Sequence, residues 1–200
     1  MKKRILLVVA VLAMFSVFTT NAQVKFGVKA GLNLANINGD DFEDSDMKMG
    51  LAIGGFANFQ LSDKIEFQPE LLYSMQGAKQ KDMYIDEGIT ADMTFKLDYI
   101  NIPLMLKYKL TDAFSIQAGP QIGLLVSDKW KTDDADGDIS DDMGVDLKGV
   151  DFGLNFGLGY TLENGFGIDA RYNLGMSQIL DMDEADSKNA VIQIAVSYAF

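Results

Sequence analysis

Residues 189–200 read NAVIQIAVSYAF, and they place Ile192, Ile194, Val196, Tyr198 and Phe200 on one side of an extended chain. Val191, Gln193, Ala195, Ser197 and Ala199 fall on the other side. Successive side chains of a strand point to opposite faces, so this period of two predicts a β-strand and excludes an amphipathic helix. Working back toward the N-terminus, seven further segments alternate in the same way: 24–35, 50–61, 64–77, 95–110, 113–127, 149–162 and 165–177.

Two kinds of connection separate these segments. Short polar turns, Leu61-Ser62-Asp63-Lys64, Leu110-Thr111-Asp112 and Leu162-Glu163-Asn164-Gly165, suit tight hairpins. The alternate connections, 36–48, 78–92, 128–148 and 178–188, are long and hold most of the 29 acidic residues. An even number of strands with short turns at one end and long loops at the other predicts an all-β fold. The expected form is an eight-stranded antiparallel up-and-down transmembrane β-barrel with short periplasmic turns and long acidic extracellular loops.

The N-terminus carries an export address. Met1-Lys2-Lys3-Arg4 is basic, the run from Ile5 to Phe18 is apolar, and Thr19-Thr20-Asn21-Ala22 follows. This is the pattern of a secretory signal peptide, cleaved after Ala22. The apolar run is too short for a stable membrane helix, which needs about 20 residues. We therefore expect 1–22 to be a signal peptide and 23–200 the barrel domain, with no cysteine available for a lipid anchor. No later apolar run has helical membrane length, so any membrane passage is by strands.

Charge distinguishes the two faces of the strands. One register, which includes Phe26, Leu32, Ile53, Leu71, Leu104, Leu106, Ile122, Phe156, Ile168 and Ile194, is free of charge along all eight segments. The interleaved register holds Lys25, Lys29, Glu66, Glu70, Lys107, Lys109, Asp151, Asp169 and Arg171. A Lys or Arg facing lipid at mid-membrane costs about 2–4 kcal/mol, so the uncharged register is expected to face lipid. The lumen of an eight-stranded barrel is just wide enough to be filled by side chains, so the interior charges should pair there. Lys29, Glu70 and Arg171 are expected near its middle, with Glu66, Lys107 and Asp169 nearer the periplasmic end. Phe59, Phe67, Tyr108, Phe114, Tyr160, Phe166, Tyr198 and Phe200 gather beside the short turns as an interfacial girdle. A soluble, lipocalin-like periplasmic barrel with the apolar face inward would show the same periodicity. Against it stand the Gly-rich polar face and the placement of Trp130, the one tryptophan, in an expected loop. Pro69, Pro103 and Pro120 all fall inside expected strands, where each removes a ladder donor.

Four motifs carry a family resemblance: residues 25–36 (KFGVKAGLNLAN), 67–73 (FQPELLY), 99–108 (YINIPLMLKY) and 118–127 (AGPQIGLLVS). Together they resemble the PorT-like outer-membrane β-barrel family across the mature chain. The resemblance implies an eight-stranded barrel of the Gram-negative outer membrane in which the prolines are tolerated strand features. It also implies that Phe200 is the closing aromatic of a C-terminal assembly signal, read by the barrel-assembly machinery. The family's founding member has a role in protein secretion, and no catalytic residue carries over.

Composition narrows function further. The formal charge is −12, which leaves no basic footprint for nucleic acid. With no His and no Cys, the usual general base, thiol nucleophile and transition-metal ligands are missing, so neither enzyme chemistry, a cofactor nor a resident metal is expected. A carboxylate pair, Glu66 and Glu70, is the sole remaining acid-base arrangement, and salt bridges to neighbouring lysines are the simpler expectation. A narrow channel would need room beside the inner-face glycines, among them Gly153, Gly157, Gly159, Gly167 and Gly175. The stretch from Asp133 to Asp142, DDADGDISDD, is rich in hard oxygen ligands for calcium but fails EF-hand spacing. The expectation is a monomer in outer-membrane lipid, whose loops meet an extracellular protein or divalent cations.

Overall fold

The structure, a computed structural model, describes residues 24–39, 45–86, 89–132, 147–180 and 187–200, with the side chains of 82–91 and 132 left aside. The segment 1–22 and the acidic stretch 133–142 lie outside the described residues. Eight antiparallel strands run in chain order: β1 (Val24–Asn38), β2 (Ser45–Gln60), β3 (Ile65–Asp86), β4 (Ile89–Lys109), β5 (Phe114–Thr132), β6 (Val150–Thr161), β7 (Phe166–Gly175) and β8 (Lys188–Ala199). Each pairs with its sequence neighbour, and β1 pairs with β8 to close the barrel.

The three short connections are built alike. The amides of Leu61, Leu110 and Leu162 donate to the carbonyls of Ile65, Phe114 and Phe166 at 2.9, 2.9 and 2.7 Å. Ser62, Thr111 and Asn164 each use a side-chain oxygen to accept an amide of the returning strand. In the third turn Gly165 has φ of 90°, a left-handed conformation that costs glycine nothing.

At the other end the strands reach well past the expected boundaries. The expected loop 78–92 is largely strand, with β3 and β4 paired as far as Asp86 and Ile89. Likewise β5 continues to Thr132, and β2 begins at Ser45. Gly77, at φ of 122°, lies in β3 where this extension starts, and a Cβ there would lie 1.9 Å from the Phe95 carbonyl oxygen.

The apolar register faces outward, as its lack of charge demands. Ile194 is 52% exposed, and Phe26, Leu71, Leu106 and Phe156 are similarly open. This overturns the soluble alternative, because an inside-out barrel would bury these side chains. On β4 the outward positions from Ile100 to Tyr108 are all apolar. At about 3.4 Å per residue and a tilt of about 40° they span roughly 20 Å of height, close to the ~25 Å band of an outer-membrane barrel. In the girdle, Tyr108, Tyr160, Phe166, Tyr198 and Phe200 are exposed, whereas Phe59 is buried, its ring 6.3 Å from that of Phe67.

The prolines sit beside short gaps in the pairing. Between β3 and β4 the pairing lapses after Pro69–Leu104 and resumes in the same register at Leu72–Asn101. Between β4 and β5 it lapses after Pro103–Gln121 and resumes in the same register at Leu106–Ala118, a gap that contains Pro120. The missing donors therefore fall at these gaps and leave the ring closed.

Candidate functional site

Three layers of side chains fill the interior. At the short-turn end lies an open basin of about 900 Å³, lined by Lys25, Asn58, Glu66, Lys107, Lys109 and Ser115 among others. Glu66 is held there by Lys109 at 2.5 Å and by the amide of Asn58 at 2.9 Å.

Above the basin sits a knot of charge. The Arg171 guanidinium donates to both Glu70 oxygens at 2.7 Å, a bidentate pair across 101 residues of sequence. The Lys29 ammonium lies 2.9 Å from Glu70 and 3.1 Å from Asp169. Lys107 approaches Asp169 at 3.8 Å. Gln68 donates to Glu70 at 2.6 Å, and Gln117 donates to Asp169 at 2.8 Å. The Glu70 side chain is 0% exposed. Lys29, Glu70, Lys107, Asp169 and Arg171 thus form one group, and Glu66 belongs to the basin. The two carboxylates Glu66 and Glu70 are committed to different cations, which leaves no shared acid-base pair. Over the knot lies a polar belt around a cavity of about 20 Å³, lined by Ser74, Gln76, Asn101, Gln121, Asn155 and Asn173 among others.

The third layer, at the long-loop end, is apolar. Ile37, Ala78, Met93, Phe95, Leu97, Tyr99, Trp130, Ile179 and Leu180 pack into one cluster inside the barrel mouth. Phe95 and Trp130 are partners in the register, and their rings meet edge to face at 5.0 Å. Just beneath, Asp151 accepts from Ser177 at 2.5 Å and from Asn189 at 3.0 Å, and Asn189 also donates to the Tyr99 hydroxyl at 3.3 Å. This plug is absent from the sequence expectations, which put Trp130 in a solvated loop. The signal was available, because Met93, Phe95, Leu97 and Tyr99 already alternate, but in the opposite phase to Ile100–Tyr108.

Outside, the wall changes character at the same level. The Tyr73 hydroxyl donates to Asp98 at 2.6 Å. Higher still, Lys81 bonds Asp46 at 2.6 Å, and this hydrogen bond lowers the Asp46 carboxyl below its usual range. Among the described residues no group of three or more carboxylates is placed to hold a metal ion.

A closed wall with an apolar exterior, a charged interior and eight strands defines an integral outer-membrane barrel. The family described as outer membrane protein beta-barrel domain matches residues 19–181, and the chain belongs to it. Its fold is that of the crystal structure of Neisserial surface protein A (NspA), at a TM-score of 0.54 and 14% identity, covering 88% of this chain and 97% of that one. It is similar also to Ail, the attachment invasion locus protein of Yersinia pestis, solved in complex with the heparin analogue sucrose octasulfate. There the TM-score is 0.51 and the identity 13%, over 88% of this chain and 99% of that one. At such identities the likeness is one of fold. No curated protein matches in sequence. The protein is a small β-barrel of the outer membrane.

Proposed function

We propose that the barrel acts at the cell surface through its acidic loops, as an envelope-structural or surface-interaction protein, and that its lumen carries no traffic. The observation behind this reading is the filled interior: a charge knot with fully covered side chains lies beneath an apolar plug. With the wall committed to lipid, the long connections are the part left to meet a partner. Their carboxylates favour cationic contacts, either divalent ions bridging to the anionic outer leaflet or a basic extracellular protein. A sulfated sugar such as the one bound to Ail would be repelled by them. The four motifs quoted above support a PorT-like placement within the family. Phe200, exposed beyond the end of β8, supports recognition by the barrel-assembly machinery.

The test is to replace Asp133, Asp134, Asp136, Asp138, Asp141 and Asp142 by Asn and to measure entry of an apolar fluorescent dye into cells at low magnesium. Greater dye entry at equal surface abundance is expected, and equal entry would sink the loop reading. On the Cys-free background, Asp136→Cys should react with an impermeant thiol reagent on intact cells. Labelling only after lysis would place these loops on the wrong side.

A further inference from the structure

Lysines are unevenly placed on the outer wall. In the register, Lys96 of β4 stands directly opposite Lys129 of β5, and Thr94 stands opposite both Lys131 of β5 and Lys79 of β3. Directly paired residues share a face of the sheet. Lys96, the position two beyond outward-facing Asp98, therefore shares the lipid-side wall with Lys79, Lys129 and Lys131. None of these four makes an ion pair among the described residues: Asp46, which stands opposite Lys79 in the register, bonds Lys81, and Asp98 bonds Tyr73. Like charges set opposite each other destabilise a sheet, so this arrangement in a chain of net charge −12 calls for an anion.

Height identifies the anion. The outward apolar positions on these strands end at Met75, Ile100 and Val126. Each further pair of residues rises about 5 Å along a tilted strand. The lysines therefore lie roughly 8–13 Å above the hydrocarbon, within a side chain's reach of the headgroups. On the opposite wall the corresponding pairs run Leu34–Ile192, Asn36–Ala190 and Asn38–Lys188, with a single lysine among them. The cluster of four lysines is a feature of β3–β5.

We propose that Lys79, Lys96, Lys129 and Lys131 bind the phosphates of an anionic glycolipid headgroup in the outer leaflet. The site is independent of the acidic loops. It holds one lipid against one side of the barrel, with the acyl chains lying along Met75, Ile100 and Val126 below.

The experiment uses the purified barrel in a zwitterionic detergent, titrated with bisphosphoryl lipid A and followed by native mass spectrometry. Replacing all four lysines by Gln should weaken binding at least about tenfold, and raised salt should do the same to the native barrel. Lys64→Gln, at the opposite end, should leave binding unchanged. Equal binding by the four-lysine variant and the native barrel would overturn the proposal. So would displacement of the lipid by millimolar inorganic phosphate, which would mark a site for free anions. Lys129→Gln alone, expected to weaken binding severalfold, keeps the test decisive should the full variant assemble poorly.

Discussion

Replacing Arg171 by Leu tests the charge knot most directly. The substitution removes two 2.7 Å donors from Glu70 and one 3.1 Å donor from Gln117, and it leaves a fully covered carboxylate facing Lys29 alone among the cations. Breaking a buried pair by deleting one partner costs about 3–5 kcal/mol, because the other charge remains in a medium that solvates it poorly. With a denaturant slope of roughly 2–3 kcal/mol per molar for a chain of this size, the urea midpoint should fall by about 1–2 M. The assay is equilibrium unfolding in phospholipid vesicles, read by far-ultraviolet circular dichroism and by the heat-dependent gel shift of the barrel. Lys81→Leu is the control. It breaks an ion pair whose side chains are 65% and 54% exposed, and its midpoint should match the native one. Glu70→Leu combined with Arg171→Leu should cost much less than the two single changes added together, since neither charge is then orphaned. Coincident midpoints for Arg171→Leu and Lys81→Leu, or additivity in the double variant, would refute the idea that the knot acts as a unit.

Two further outcomes follow from the plug and from the glycine beside it. Phe95→Ala removes the ring against Trp130 and should cost about 3 kcal/mol locally. Because Trp130 is the single tryptophan, its emission should shift to the red, and an unmoved spectrum would count against a packed plug. Gly77→Val sets a side chain at φ of 122° and drives its Cβ into the Phe95 carbonyl, so it should destabilise by about 1–3 kcal/mol. Gly55→Ala, where a new Cβ would meet its nearest atom at 3.4 Å, is the comparison, and equal midpoints for the two would count against the close approach of Gly77 to the Phe95 carbonyl.

The barrel was legible because lipid imposes a simple rule: any strand residue facing outward must be apolar, and residues two apart share that constraint. The charged positions of the other register could then be placed inside, and complementary signs suggested their pairing. What stayed hidden lies where the rule reverses. Above Asp98 the wall leaves the hydrocarbon, so Lys96 and Thr94 turn outward while Phe95, Leu97 and Tyr99 turn in. The apolar phase changes faces, and a search for one continuous stripe stops there. On β5 the register also shifts, since Asp98 pairs with Ser127 but Tyr99 with Leu125, which brings Trp130 inward. The acidic residues around these segments gave them the look of loops, although β3 and β4 continue as a paired ribbon. The lysine patch was hidden for a related reason: its members come from three strands and meet only once the register is known.

The charge knot has a kinetic consequence. Its members come from β1, β3, β4 and β7, so no hairpin formed early in folding contains a complete set. Before β8 reaches β1 the half-built sheet carries these charges without the geometry that neutralises them, and closure satisfies them together. Contacts made that late are absent from the barrier crossed on the way in, but they must be broken on the way out. The barrel should consequently close at a rate set by its strands and open at a rate set by its interior, which suits a protein whose environment lies outside the reach of the cell's own refolding machinery.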